Sequence, residues 1–154
     1  MSGRCLRTLA CDGIEIEDVI LRNSPSWTCQ IFGSKNVKLN DVKIVADWAV
    51  GNTDGINPDC SQNVVTQRFF GFCGDDSFAV KCTSKSPLVE GSRDIVVRDS
   101  VVMTRKTAFK IGTETHKDVS NVLIENCEAV NSARGLAIYL FDGAKCSNIT
   151  YRDL

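Results

Sequence analysis

The sequence lacks an excess of charge of either sign and lacks long apolar runs. Its 18 basic residues are scattered among 19 acidic ones, which leaves no basic stripe for nucleic acid and no polybasic run for anionic lipid. No apolar run approaches the roughly 20 residues needed to cross a bilayer. The first residues, Met1–Arg7, also lack the apolar stretch of a signal peptide. We therefore expect neither nucleic acid nor a membrane among its partners.

The sequence also has few residues with which to build a metal site. His116 is its one histidine, and no pair among its eight cysteines has Cys-x-x-Cys spacing, so a zinc site would need ligands from scattered positions. With 154 residues, of which 43% are apolar, the chain can bury a core without a disulfide scaffold. We expect a single domain over residues 1–154 with buried free thiols, no metal and no cofactor.

What the sequence does contain is a repeat of about 27 residues, in which Asn or Asp precedes alternating apolar residues. The copies are separated by 27, 31, 27 and 27 residues, and a weaker copy at Gly13 precedes the first by 23. They begin at Asn36, Asn63, Asp94, Asn121 and Asn148. Second apolar segments follow at Ser77–Val80, Thr107–Ile111 and Gly135–Leu140. Two or three short strands per unit predict the coils of a right-handed parallel β-helix.

Two other folds explain parts of this pattern. Leucine-rich repeats have shorter periods and a leucine frame that these units lack, whereas an antiparallel sandwich would also show short strands between turns. The near-constant period favours an all-β solenoid of about five to six coils. Because the chain stops at Leu154 without completing a turn, we expect a coil truncated at one or both ends. Such a chain would be a fragment of a longer β-helix or would self-associate end to end.

Two acidic blocks lie about one turn apart. Asp54 belongs to Asn-Thr-Asp-Gly at 52–55, and Asp75 and Asp76 belong to Gly-Asp-Asp at 74–76. Adjacent parallel strands lie about 4.8 Å apart, so we expect one acidic patch on an outer face of the coil. Repulsion would keep a proton on one member and leave the others as bases. Glycoside hydrolysis needs that division between acid and base.

Other chemistry is open to three carboxylates. Phosphoryl transfer could use them, and Asp-rich turns also make good oxygen cages for calcium. Each block on its own could also be an ordinary tight turn, because Asn, Asp and Gly favour turns. Their placement one turn apart in a solenoid favours a shared site.

These blocks resemble those of polygalacturonases and their inverting β-helix relatives, which carry Asn-Thr-Asp and then Gly- or Gln-Asp-Asp one coil later. Asn23–Trp27 resembles the family's Asn-Ser-Pro-x-Trp stretch, and Asp75–Lys81 resembles its Asp-Asp-x-x-Ala-x-Lys strand. The resemblance covers about residues 20–154 and implies a glycoside hydrolase that acts on a polysaccharide or oligosaccharide. It also implies that a longer parent protein is secreted.

The resemblance implies a role for each aspartate. Asp75 matches the general acid, and Asp54 and Asp76 match the pair that activates water for inversion. The family's Gly-His-Gly block is replaced by Lys106–Gly112, and we expect His116, in a later turn, to be solvated rather than a substitute.

A second family motif, an Arg-x-Lys pair that grips the substrate carboxylate, is replaced by Ala137-Ile138-Tyr139. Alanine and tyrosine cannot form a charge-assisted pair with galacturonate, although tyrosine can stack on a sugar ring. This replacement argues against pectin as the substrate. The predicted substrate-binding residues are Asn52, Lys81, Lys110 and Tyr139.

Further residues are candidates for the same face. Arg134 and Glu114 could line it, and Trp48 could serve as a sugar platform or belong to the core. The alternative function is a catalytically inactive β-helix that only binds carbohydrate, or a structural repeat that binds nothing.

Overall fold

The chain folds as a coil of short parallel strands. The computed structural model describes residues 3–154. Its strands are β1 (Leu6–Leu9), β2 (Asp12–Glu17), β3 (Ile20–Arg22), β4 (Cys29–Phe32), β5 (Lys35–Asn40), β6 (Lys43–Val45), β7 (Ile56–Asp59), β8 (Gln62–Gln67), β9 (Phe70–Cys73), β10 (Phe78–Cys82), β11 (Ser92–Thr104), β12 (Thr107–Thr115), β13 (Val119–Val130), β14 (Arg134–Leu140) and β15 (Cys146–Arg152). Within residues 3–154 there is no helix of the length and apolarity that a bilayer crossing requires.

Each coil contributes strands to three faces. One face is a six-stranded sheet in the order β1-β4-β7-β10-β12-β14, which we call the site sheet. The other two faces belong to a second sheet that bends, because β11 pairs with β8 through its first half and with β9 through its second half. All of these pairings are parallel. The predicted fold class is confirmed: the protein is a right-handed parallel β-helix of about five turns.

The register explains the repeat seen in the sequence. Val37 pairs with Val64, Val64 with Ile95, and Ile95 with Val122 on successive coils. These four side chains are at most 1% exposed, so each coil places an apolar residue directly over the last. Full burial of such a side chain contributes about 1.5–3 kcal/mol. The period is therefore the length of chain needed to return to the same column of the core.

The Asn and Asp residues that mark the repeat form a ladder at a left-handed kink. Their φ angles lie between 51° and 57°, a region that Asn and Asp tolerate better than other side chains. The Asn63 amide donates to Asn36 Oδ1 at 2.7 Å, and the Asn148 amide donates to Asn121 Oδ1 at 3.0 Å. The recurring Asn thus satisfies both the backbone geometry and its neighbour's side chain.

The cysteines are all free thiols, as expected, but they are not all buried. Five are buried in the coil: Cys29, Cys60, Cys73, Cys82 and Cys127. Cys5 and Cys11 are exposed because they lie in the first described coil, which is covered by a neighbouring coil on one side only. The expectation of buried thiols is therefore wrong at these two positions, and it holds only in part at Cys146, which is half-buried.

Candidate active site

Asp54 and Asp76 occupy equivalent positions on adjacent coils. Each lies two residues before a strand of the site sheet, and those strands align Ile56 with Phe78. The Gly55 N–H donates to the Asp76 carbonyl at 2.9 Å, which sets the two segments side by side. Neighbouring parallel strands are about 4.8 Å apart, so the two carboxyl groups are stacked one coil apart.

The two stacked carboxyl groups are nearly excluded from solvent. Asp54 is 2% exposed and Asp76 is 4% exposed, so this part of the acidic patch expected on an outer face is covered from solvent. The reason is that two lysines, Lys81 and Lys110, lie against them and are themselves buried. Asp54, Asp76, Lys81 and Lys110 thus form a buried polar cluster on the site sheet.

Asp76 is held by two donors. Lys110 Nζ lies 2.6 Å from Asp76 Oδ2, and the Thr107 N–H donates to Oδ1 at 3.2 Å. Both donors belong to β12 on the next coil. Phe78 pairs with Phe109, and this register brings Thr107 opposite Asp76. A charge-assisted hydrogen bond of this length stabilises the ionised carboxylate.

Asp54 is held less closely. Lys81 Nζ is 3.8 Å from Asp54 Oδ2, which is beyond hydrogen-bond distance, and lies 4.5 Å from the centroid of the Trp27 ring. Burial raises the pKa of Asp54 to about 7. The positive charge of Lys81 opposes that rise, and the negative charges of Asp76 and Asp75 add to it. Asp54 therefore exchanges a proton near neutral pH.

Asp75 differs from the stacked pair because it is half-buried and faces the connection between β6 and β7. Its Oδ2 accepts the Asn52 N–H at 3.0 Å, and its Oδ1 accepts the Asp76 N–H at 2.9 Å. Asn52 thus reaches the cluster through its backbone while the residue as a whole is exposed. Two backbone donors fix the orientation of this carboxyl group.

The connection from Asp47 to Asn52 is itself held against the coil. The Trp48 ring stacks on Phe72 with centroids 4.9 Å apart, and Arg105 donates to the Trp48 carbonyl at 3.1 Å. The Gly74 N–H donates to Thr53 Oγ1 at 3.1 Å. One face of Trp48 is therefore taken by Phe72, and the ring helps to position the backbone that holds Asp75.

The remaining predicted residues lie at different distances from this cluster. Tyr139 is half-buried, and its ring centroid is 5.8 Å from Lys110 Nζ; it lies on β14, one coil above Lys110 and two coils above Asp76. Arg134 and Glu114 are exposed. His116 Nδ1 lies 3.5 Å from Asp142 Oδ1, and the His116 N–H donates to the Cys82 carbonyl. Cys82 is six residues along the chain from Asp76. That separation is about 20 Å in an extended strand.

Several polar residues of the cluster were missed from the sequence. Asp59 accepts hydrogen bonds from the Gln30 amide and the Thr83 hydroxyl, each at 2.8 Å. Asn57 is fully buried, and neither polar atom of its side chain has a partner within residues 3–154. The sequence does not single them out, because Asn, Pro and Asp at 57–59 are typical of a turn, whereas the structure places them in a strand that is buried throughout.

The charge balance of the cluster argues against a cation site. Among the described residues, no three His, Cys, Asp or Glu side chains are arranged to hold a metal ion. Lys81 and Lys110 instead place their own positive charges against Asp54 and Asp76. This arrangement disfavours the calcium alternative and leaves three carboxyl groups in unlike surroundings, which suits acid–base chemistry.

Comparison with known proteins supplies a family for this arrangement. Residues 2–154 match the family model described as Glycosyl hydrolases family 28. A probable polygalacturonase from Vitis vinifera is 31% identical over 129 residues, which cover 81% of this chain and 26% of that protein. A polygalacturonase from Brassica napus is 26% identical over 136 residues, which cover 88% of this chain and 33% of that protein.

A solved structure has the same coil. It is a hyperthermoactive exopolygalacturonase from Thermotoga maritima, which matches with a TM-score of 0.82 at 26% identity. The match covers 96% of this chain and 34% of that chain. The chain thus spans about a quarter to a third of the length of these relatives.

Proposed function

The chain belongs to glycosyl hydrolases family 28, and from that membership we propose that its acidic cluster hydrolyses a glycosidic bond of a polysaccharide or oligosaccharide with inversion. The observation that carries this proposal is the stacking of Asp54 against Asp76 on adjacent coils, with Asp75 fixed beside them. An inverting hydrolase needs a general acid on one side of the bond and a base for water on the other. The full-length parent would act outside the cell, as the resemblance to secreted polygalacturonases implies.

The proposed reaction divides the three carboxyl groups by role. Asp75, the half-buried member, donates a proton to the leaving glycosidic oxygen as the bond to the anomeric carbon breaks. Asp76, with Asp54 beside it, orients a water molecule and accepts its proton as the water oxygen bonds to that carbon. The products are two shorter glycans, one with a new reducing end of inverted configuration.

The proposed substrate contacts surround this centre. Tyr139 presents an aromatic ring to a sugar two coils above Asp76, while Lys81, Lys110 and Asn52 offer donors to the hydroxyl groups of the substrate. Because Ala137 and Tyr139 carry no positive charge, we expect a weaker preference for galacturonate than an Arg-x-Lys pair would give. A less carboxylated glycan is therefore the expected substrate.

The test is reducing-sugar release by the purified protein from a panel of neutral and acidic glycans. We expect release from at least one member and a loss of 10²-fold or more in Asp75→Asn, the usual contribution of a general acid. The matched control is Glu114→Gln, which changes an exposed carboxylate on β12. Asp75→Asn with parental activity would overturn the proposal.

The same panel separates the alternatives. Binding without release from any glycan would indicate a carbohydrate-binding β-helix. Neither binding nor release would indicate a structural coil. Circular dichroism of the parent and both variants verifies that each retains the β-helix.

A further inference from the structure

We propose that Lys110 is a positioning residue that keeps Asp76 ionised and thereby determines which of the two stacked carboxyl groups is the base. The proposal rests on the hydrolase function given above. The sequence predicts Lys110 only as a substrate-binding residue.

The two stacked carboxyl groups differ in the hydrogen-bond donors that they receive. Asp76 receives Lys110 Nζ at 2.6 Å and the Thr107 N–H at 3.2 Å. The Asp54 side chain has no donor at hydrogen-bond distance within residues 3–154, and its lysine stands off at 3.8 Å. The two carboxyl groups lie one coil apart, but the protein supplies hydrogen-bond donors to Asp76 and not to Asp54.

This difference determines which of the two carboxyl groups holds a shared proton. Two carboxylates this close repel, so the pair retains one proton over a wide pH range. The proton resides on the member whose charged form is less well stabilised, which is Asp54. The rise in the pKa of Asp54 to about 7, caused mainly by burial, agrees with that placement.

Other charged groups also lie near Asp76. Asp75 precedes it in the chain, and its carboxyl group is turned to backbone N–H groups. Within the described residues, Lys110 is the one cation whose side chain hydrogen-bonds the Asp76 carboxylate. The remaining charged groups of the neighbouring segments are Asp54, Lys81, Arg105, Lys106 and Arg134.

The four cations among them do not compete with Lys110. Lys81 contacts Asp54, and Arg105 donates to the Trp48 carbonyl. Lys106 and Arg134 are exposed. Lys110 is therefore the cation of the described residues that is placed to act directly on the Asp76 carboxylate.

The position of Lys110 in the sequence supports this role. It lies in Lys106–Gly112, the segment that stands where the family resemblance has a Gly-His-Gly block. No imidazole is present there, and Lys110 is the cation of this segment that reaches an acid of the cluster.

The experiment is a pH profile of kcat/KM for Lys110→Met and Lys110→Arg on the glycan that the panel identifies. Methionine retains much of the buried stem but removes the charge. The acidic limb of Lys110→Met should move to higher pH by about one to three units, the usual effect of an adjacent opposite charge. Lys110→Arg should keep the limb near its parental position.

The matched control is Lys106→Met, an exposed lysine four residues earlier, whose pH profile should equal that of the parent. A Lys110→Met limb that coincides with the parental one would overturn the proposal, as would an equal shift in the control.

A second measurement does not need activity. Carboxyl ¹³C NMR of aspartate-labelled protein, with Asp76→Asn to assign the signal, follows the ionisation of Asp76 directly. Its midpoint should rise in Lys110→Met, and an unchanged midpoint would overturn the proposal. A protein that cleaves no glycan would therefore contradict the hydrolase function while the titration still decides the role of Lys110.

Discussion

At the scale of single residues, the charged pairs of this protein fall into two classes. Lys81–Asp54 and Lys110–Asp76 are almost excluded from water, whereas pairs such as Arg93–Glu90 lie in solvent. Exposed pairs contribute little to stability, while loss of one partner from a buried pair leaves an uncompensated charge. The buried pairs should therefore dominate the response of the protein to pH and to substitution.

The raised pKa of Asp54 predicts how the free energy of unfolding changes with pH. Its folded-state pKa is raised to about 7, so the folded state binds the proton more tightly than the unfolded chain. The stability that this provides is fully present below about pH 4, the unfolded value, and is lost as the pH rises to about 7. Relative to Asp54→Asn, the parent should lose roughly 2–4 kcal/mol of unfolding free energy across that window.

The measurement is urea unfolding of the parent and Asp54→Asn at pH 4.5 and pH 8. Asp18→Asn is the matched control, because Asp18 has a mostly exposed side chain and a left-handed φ of 51° that Asn also tolerates. The control should show no such change with pH. A constant difference between parent and Asp54→Asn at both pH values would contradict the assignment of a raised pKa.

At the scale of elements, the site depends on how the segment before β7 fits against the turn before β10. Gly74 lies where these two meet. A Cβ at this position would stand 2.3 Å from the Val50 carbonyl oxygen and 2.7 Å from that of Asp47. Backbone atoms cannot yield to such contacts as a flexible side chain can, so only glycine fits here.

The prediction for this element is that Gly74→Ala displaces the Asp47–Asn52 connection. The Asn52 N–H would then lose its place on Asp75, so we expect at least a 10-fold loss of glycan cleavage. Overpacking of this kind costs about 1–3 kcal/mol, so stability should fall by that amount. Activity assays and urea unfolding give both quantities.

Gly51→Ala is the control for this prediction, because a Cβ there meets nothing within 4 Å. It lies in the same connection and should leave activity and stability close to those of the parent. Equal effects of the two substitutions would show that the connection tolerates displacement and that Gly74 has no special place in it.

At the scale of the whole molecule, each coil contacts only the coils above and below it. Val122 on β13, for example, pairs with Ile95 on β11 and with Ile149 on β15. In such a stack, stability is close to a sum of coil and interface contributions. A defect in one coil should therefore loosen its neighbours more than distant coils.

Val122→Ala tests this expectation. Val122 is 1% exposed, and its truncation should cost about 2 kcal/mol. Amide hydrogen exchange should accelerate in β11, β13 and β15 more than in β2 and β5. Val101→Ala, at a position 40% exposed on β11, is the control and should leave exchange near the parental pattern. Uniform acceleration along the chain would instead indicate one cooperative unit.

Much of the fold could be predicted because residues one repeat apart in the sequence pair with each other on successive coils. Asn36, Asn63 and Asn121 stand at equivalent left-handed kinks, so the local preference of Asn for that conformation already marks each turn of the coil. The acidic cluster could be predicted in part for the same reason. A spacing of one turn is enough to place Asp54 beside Asp76, whatever their side chains contact. The catalytic roles of these aspartates stay predictions until the variants are measured.

The partners of those aspartates could not be predicted. The spacing does not reveal that Lys110 reaches Asp76 at 2.6 Å while Lys81 stops 3.8 Å from Asp54. Nor does it reveal that Asn57 is buried without a partner or that Trp48 stacks on Phe72. Each of these depends on side-chain packing between coils, which a period along the chain does not describe.

The sequence by itself determined the parallel β-helix, the coil length and the neighbouring positions of the acidic blocks, because backbone geometry and apolar periodicity are local properties that repeat. Only the tertiary structure decided how deeply those acids are buried and which lysine each one contacts. The energy of a carboxyl group depends on water exclusion and on distances of a few ångströms to groups from other coils, and those are set only when the coils stack.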